Sequence, residues 1–191
     1  MIKYPIKKEV NKKLVNYGNR GIDFENAINE SNNFYLAHDI AVIYKKPTPI
    51  RVVEVNYPSR NKAMITKAFY VTPSTTDYNG IYKGYYIDFE TKETNSKTAM
   101  SLKIVQQHQT EHLRNVSRHG AISFLLVYFK KLDEIYLLET KHLLVFDKRK
   151  NTGRKSISIN EFREFGYLVK TGYNPQIDYL SIVDEIINKK S

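Results

Sequence analysis

Two acidic residues and a lysine in the middle of the chain, Asp77, Glu90 and Lys92, have the types and spacing of a metal-dependent hydrolytic site. In a β-strand side chains alternate, so Glu90 and Lys92 project on one face together with Asp88. The lysine lies about 6.6 Å further along the strand, within reach of the same reacting group. Carboxylates bind hard cations, and an ammonium group stabilises negative charge that develops during hydrolysis. A solvated strand face is the plainer interpretation of the same pattern.

The position of one turn decides whether Asp77 lies near Glu90. Asn79-Gly80 is the stronger turn dipeptide, but a turn there would pair Asp77 with Tyr82. A two-residue turn at Lys83-Gly84 instead pairs Asp77 with Glu90. Directly opposed residues have Cβ atoms about 4.5–5.5 Å apart, a separation across which two carboxylates can share a cation. We choose Lys83-Gly84, because that turn brings the acids together.

The elements around these residues are those of an α/β domain, in which helices flank a mixed sheet. Helical periodicity predicts helices over about 21–36, 104–118 and 179–187. Apolar runs and alternation predict strands over 40–44, 53–57, 121–129 and 135–138, with a strand pair over 75–93. Residues 58–72 form an amphipathic insertion that the sheet does not require. We expect a basic flexible arm over 1–19 and one domain over 20–191.

The charge of the chain favours a polyanionic partner. Lysine and arginine number 30 against 20 acidic residues, which gives a net charge of +10 and a pI near 9.5. Basic residues concentrate in segments 1–20 and 147–155. Either segment alone is consistent with a solvated surface, but two of them favour nucleic acid.

Several classes of protein are excluded by composition. The chain has no cysteine, which rules out disulfides, thiolate metal sites and cysteine nucleophiles. No run approaches the roughly 18 apolar residues of a membrane span. His108 and His112 have the spacing of a zinc pair, but the glutamate of the zinc-protease motif is missing, and solvated histidines are the preferred interpretation. We expect a cytoplasmic protein with no membrane partner.

The motif residues resemble a known family. Asp77, followed on the next strand by Glu90-x-Lys92, resembles the PD-(D/E)xK nuclease pattern. Thr76 replaces the proline that is usual before the first acid. The strings that together resemble the RecU family of Holliday junction resolvases are residues 18–21, 45–49, 74–80 and 87–93, and the likeness runs from about Tyr17 to the C-terminus.

That resemblance implies a restriction-endonuclease-like fold with a protruding stalk, for which the insertion at 58–72 is the candidate. It implies Mg²⁺ as cofactor, with Mn²⁺ as a substitute. The residues implied as metal ligands are Thr75, Asp77, Glu90 and Gln109, and those implied as catalytic are Asp77, Glu90 and Lys92. The residues predicted to bind DNA are Arg20, Lys45, Lys46 and Arg60.

The implied activity is resolution of Holliday junctions by symmetric paired nicks during homologous recombination and DNA repair. Four-way junction DNA is the expected partner, with the recombinase RecA as a further one. Because a junction has two-fold symmetry, two equivalent nicks call for a C₂ homodimer. Two alternatives remain: another DNA endonuclease of the PD-(D/E)xK superfamily, and a non-catalytic DNA-binding modulator of the recombinase.

Overall fold

The computed structural model of the chain describes residues 23–71 and 75–189. The predicted arm over 1–19 and the predicted DNA contact Arg20 lie outside these residues. Within the described part, the helices are α1 (Phe24–Ala37), α2 (Gln107–Arg118), α3 (Thr140–Arg149), α4 (Ile159–Phe165) and α5 (Leu180–Asn188). None of the described helices is both long enough and apolar enough to cross a membrane.

Twelve strands accompany these helices in the described residues. They are β1 (Val42–Lys45), β2 (Ile50–Ser59), β3 (Lys62–Tyr70), β4 (Tyr78–Tyr82), β5 (Tyr85–Thr94), β6 (Ala99–Ser101), β7 (Ile122–Phe129), β8 (Glu134–Glu139), β9 (Ser156–Ser158), β10 (Tyr167–Leu168), β11 (Lys170–Thr171) and β12 (Ile177–Asp178). Six of them form the central sheet in the order β1-β4-β5-β7-β8-β10.

The central sheet is mixed. Strands β5 and β7 are parallel, whereas every other neighbouring pair in the sheet is antiparallel. All eight residues of β7 are buried, as expected for a central strand that is covered on both faces. The predicted α/β class, a mixed sheet flanked by helices, is confirmed.

Two apolar layers cover the faces of this sheet. One contains Phe89 and Phe124 of the sheet with residues of α1 and α5. The other contains Leu125 of the sheet with residues of α2, α3 and α4. Since Glu90 is registered with Leu125, and cross-strand partners share a face, Glu90 points into the second layer beneath α2. The charged face of β5 is therefore buried, so the solvated interpretation was wrong.

The predicted turn at Lys83-Gly84 is confirmed. Both residues have positive φ, 48° and 80°, as a type I′ turn requires, and the register pairs Tyr78 with Phe89. The alternative dipeptide lies inside β4, where Gly80 pairs with Ile43 of β1. A Cβ on Gly80 would lie 2.0 Å from the carbonyl oxygen of Val42, so this glycine allows close packing of strands.

Helix α2 begins later than the sequence predicted. Leu102–Ile104 form a short 3-10 turn, and Val105 is extended, with φ −93° and ψ 113°. The regular helix starts only at Gln107. Its end is as expected, since Gly120 follows it with a φ of 93° that favours glycine.

Strands β2 and β3 form a hairpin that is separate from the central sheet. Every residue of β3 is exposed, and all of β2 is exposed except the half-buried Val55. Arg60 lies in the turn at the tip. The predicted strand over 53–57 is therefore part of this hairpin and not of the main sheet. The paired strands begin at Ile50, earlier than the predicted insertion over 58–72, because β2 is one half of the projecting structure.

Candidate active site

Asp77 is held by the strand that carries Glu90. It lies directly before β4, at the bend where the chain enters the sheet. The backbone N–H and the hydroxyl of Thr91 both donate to Asp77 Oδ2, at 3.0 and 2.7 Å. These two bonds fix the orientation of the carboxylate beside β5. The sequence alone did not suggest a role for Thr91.

Glu90 is a fully buried acid with one oxygen satisfied and one not. Its Oε1 accepts hydrogen bonds from Lys92 Nζ and from Gln109 Nε2, the latter at 2.7 Å. No hydrogen-bond donor among the described residues reaches its buried Oε2. Burial, followed by the nearby charge of Asp77, raises the pKa of Glu90 to about 8, although Lys92 acts in the opposite direction.

This pair of carboxyl groups fits a divalent cation. Two neighbouring carboxylates repel, and the unpartnered oxygen of Glu90 needs either a proton or a cation. Among the described residues, no group of three or more His, Cys, Asp or Glu side chains is placed to hold a metal. A cation bound by Asp77 and Glu90 would therefore take its remaining ligands from neutral oxygens or water, as Mg²⁺ commonly does.

The two predicted neutral ligands lie beside these acids. Thr75 and Gln109 line, together with Asp77, a cleft of about 450 Å³. The Gln109 side chain already has two contacts: its Oε1 accepts from the backbone N–H of Gln106 at 2.9 Å, and its Nε2 donates to Glu90. In this arrangement Gln109 positions Glu90. The metal-ligand roles of Thr75 and Gln109 stay predictions.

Asp88 is the centre of a buried polar network that the sequence did not predict. Its side chain is fully buried. Its carboxylate accepts from Lys46 Nζ at 2.9 Å and from Tyr86 at 3.0 Å. It also accepts from Thr76 and contacts His112 Nε2 at 3.0 Å. The sequence contained one indication of this network: His112 follows Gln109 by three residues and therefore lies on the same face of a helix.

The predicted DNA contacts have different surroundings. Lys45 is exposed and paired with Glu25 of α1, at the mouth of the cleft. Lys46 has only 17% of its side chain exposed, and its ammonium group bonds Asp88 and Thr76. Arg60 is exposed at the hairpin tip. Contact with DNA stays a prediction for all three, and the structure provides a competing role for Lys46 in supporting the loop beside Asp77.

The arrangement as a whole is suited to hydrolysis of a phosphodiester. Two acids that can bind a divalent cation lie next to a lysine that can stabilise negative charge. Lys45 and Lys46 also line the cleft, where they pair with Glu25 and Asp88. The fold and the candidate site together are those expected of an α/β metal-dependent nuclease.

Comparison with known proteins identifies the family. The family model described as RecU, Recombination protein U, matches residues 19–185. The chain is also 48% identical to the Holliday junction resolvase RecU of Bacillus thuringiensis strain Al Hakam over 185 residues, 96% of this chain and 90% of that protein. The chain belongs to the RecU family.

A second relative supports the same family. The Holliday junction resolvase RecU of Bacillus cytotoxicus is 47% identical over 195 residues, which cover 97% of this chain and 98% of that protein. Among solved structures, that of Hjc, a Holliday junction resolvase from Archaeoglobus fulgidus, is similar with a TM-score of 0.45 and 12% sequence identity. The match covers 78% of this chain and 95% of that one, and a likeness this distant bears on neither fold nor function.

Proposed function

We propose that the chain is a divalent-metal-dependent endonuclease that resolves Holliday junctions by symmetric paired nicks in homologous recombination and DNA repair. The observation that carries the proposal is the buried Glu90, whose Oε2 has no hydrogen-bond donor among the described residues and which is close to Asp77. The names of the relatives, each a Holliday junction resolvase RecU, support the same activity.

Each residue of the site has a distinct task in this proposal. Asp77 and Glu90 would hold Mg²⁺, or Mn²⁺ in its place, with Thr75 and Gln109 as neutral ligands. The bound ion would polarise the phosphate and lower the pKa of a water molecule. Lys92 would stabilise the charge that develops on the phosphate, because its ammonium group already lies at Glu90. No residue forms a covalent bond with the substrate.

Orientation of these groups comes from their neighbours. Thr91 fixes the carboxylate of Asp77, and the amide of Gln109 fixes that of Glu90. Buried bonds of this kind hold side chains in the geometry that the reaction needs before the substrate arrives. The rate of cleavage should therefore depend on residues that never touch the phosphate.

Junction selectivity is assigned to the hairpin of β2 and β3. It projects from the sheet and exposes both Arg60 and large apolar side chains such as Tyr57 and Phe69. In a C₂ homodimer two such hairpins could occupy the open centre of a four-way junction, a shape that linear duplex lacks. Contact with RecA and a cytoplasmic location belong to the same proposal.

A direct test uses the purified protein with a labelled four-way junction and Mg²⁺, beside linear duplex of the same sequence. We expect paired, symmetric nicks in the junction and little cleavage of the duplex. Equal cleavage of both substrates would indicate another endonuclease of the superfamily. Binding without cleavage at any Mg²⁺ or Mn²⁺ concentration would indicate a non-catalytic DNA-binding protein.

A further inference from the structure

A second concave surface, which we call the lysine groove, lies at the N-terminal end of α2. It has a volume of about 510 Å³ and is lined by Leu102, Lys103, Val105, Gln106, Gln107, Lys150, Asn151 and Lys155. Leu102 and Val105 are buried, whereas Lys103 and Lys155 are exposed. The groove therefore has apolar residues beneath and cationic or amide side chains around it.

The charge of the lysine groove is positive and largely uncompensated. Among the residues that the structure describes, no acidic side chain lines it. Lys150 pairs with Asp147 three residues earlier in the chain, so part of its charge is neutralised. In residues 23–71 and 75–189, neither Lys103 nor Lys155 forms an ion pair. These two ammonium groups lie beside three carboxamides, of which that of Gln107 donates to Glu111 at 2.7 Å. The remaining donors can bind an anion.

This surface explains only part of the basic segment 147–155. Arg149 stabilises the fold through three contacts. It pairs with Glu161, donates to the carbonyl of Ser156 at 2.8 Å and lies over the ring of Phe146. Arg154 lies 3.9 Å from the same Glu161. The two arginines of the segment thus stabilise the fold, whereas two of its three lysines, Lys150 and Lys155, line the groove.

Helix α2 connects the lysine groove to the candidate active site. Gln109 bonds Glu90, and it also accepts a hydrogen bond from the backbone of Gln106, which lines the groove. Gln106 and Gln109 are three residues apart, about 4.5 Å along a helix. A strand held at Glu90 can therefore continue towards the groove.

We propose that the lysine groove binds the phosphodiester backbone of the DNA that the active site cleaves, with Lys103 and Lys155 as its principal contacts. This inference rests on the proposed function and adds a backbone-binding surface to it. Phosphate contacts position a protein without reading sequence, so the groove should strengthen binding to junction arms and to linear duplex alike. The hairpin of β2 and β3, in contrast, is proposed to bind junctions in preference to linear duplex.

The test compares two charge-matched double variants of the full chain. Lys103→Gln/Lys155→Gln removes two charges at the groove. Lys170→Gln/Lys189→Gln removes two from exposed positions at β11 and the end of α5, on the side of the sheet that α2 does not cover. Affinity for junction and duplex is measured in Ca²⁺, without cleavage, over a range of salt concentrations.

Counterion release sets the expected result. Each phosphate contact contributes about 0.9 to the slope of log K against log salt concentration, so the groove variant should lose about 2 from that slope. Its affinity should fall roughly tenfold for junction and duplex equally, while the control variant behaves as the wild type. Equal slopes for the wild type and the groove variant would overturn the inference.

A measurement on the unaltered protein is independent of any folding defect. Lysines are acetylated with and without bound junction, and modification at each position is quantified by mass spectrometry. Lys103 and Lys155 should be protected by DNA, whereas Lys170 should not. Equal modification of Lys103 with and without DNA would contradict the inference. Failure of the proposed function would be seen separately, as absence of cleavage by wild-type protein that still shows groove protection.

Discussion

Thr91 binds Asp77 through two hydrogen bonds to the same oxygen, from its backbone N–H at 3.0 Å and from its hydroxyl at 2.7 Å. The strand that carries Glu90 thereby also fixes the other acid of the candidate metal site. Because Glu90 lies on β5 and Asp77 is bonded to it, β5 contributes to the position of both carboxylates.

Replacing the Thr91 hydroxyl should weaken metal binding. Thr91→Val keeps the shape and the backbone bond but removes the 2.7 Å contact, and loss of a partner that orients a metal ligand typically costs about 10–100-fold in metal affinity. Calorimetric titration with Mn²⁺ measures the effect. Thr94→Val, on the same strand but bonded to Ser96, serves as control and should bind as the wild type does. Equal affinity of both variants would show that the hydroxyl has no orienting role.

Asp88→Asn should destabilise the fold more than most single substitutions. The change leaves the ammonium group of Lys46 without its buried partner, and breaking such a pair costs about 3 kcal/mol or more. The matched control is Asp184→Asn, which breaks an exposed pair with Lys83 and should cost far less, because solvent screens such pairs. Urea unfolding of both variants measures the difference. Similar free energies of unfolding would mean that the Asp88 network does not stabilise the protein.

The local pattern around β5 could be predicted from the sequence, because it depends on strand alternation and one turn. Glu90 and Lys92 do contact each other, and the turn at Lys83-Gly84 does set the predicted register. The Asp88 network could not be predicted in the same way. Its donors Lys46 and His112 lie 42 and 24 residues away in sequence. Pairing of β1 with β4 brings Lys46 to Asp88, and packing of α2 on the sheet brings His112.

Other differences also have physical reasons. The sequence predicted no helix over α3, Thr140–Arg149, because the apolar run from Leu143 to Phe146 lacks the clear spacing of one buried face. The predicted insertion began only at residue 58, because β2 alternates like a strand of the main sheet. Alternation predicts a strand, but it does not say which partner the strand pairs with.

Removing the whole hairpin should abolish junction preference while leaving the fold intact. The backbone N–H of Val71 donates to the carbonyl of Pro49 at 3.0 Å, so a short Gly/Ser linker can replace residues 51–69. Replacing only residues 59–70 would leave β2 without its partner strand. We expect unchanged metal binding and loss of the preference for junctions in a competition assay with linear duplex. A variant that retained wild-type preference would place selectivity in the nuclease core.

Glu161 should make stability sensitive to acid. The hydrogen bond from Arg149 lowers the pKa of Glu161 from 4.5 to about 2, with further bonds from Ser158. A carboxyl with a depressed pKa contributes stability that is present above about 4.5 and is lost as pH falls towards 2. Glu161→Gln should cost about 2 kcal/mol at pH 7 and flatten this acid dependence in urea unfolding.

The exposed Glu164 provides the control for that experiment. Glu164→Gln should change the free energy of unfolding by less than about 0.5 kcal/mol, as surface substitutions usually do. An acid dependence that is the same in the wild type and in Glu161→Gln would contradict the assigned role of the Arg149 pair.

The most direct test of the central claim compares Asp77→Asn and Glu90→Gln with the wild type on a four-way junction in Mg²⁺. Each variant removes a carboxylate at the candidate metal site but little of the net charge of +10 that attracts DNA. Both should therefore bind the junction with nearly wild-type affinity and fail to cleave it. Cleavage by either variant at the wild-type rate would show that the active site lies elsewhere.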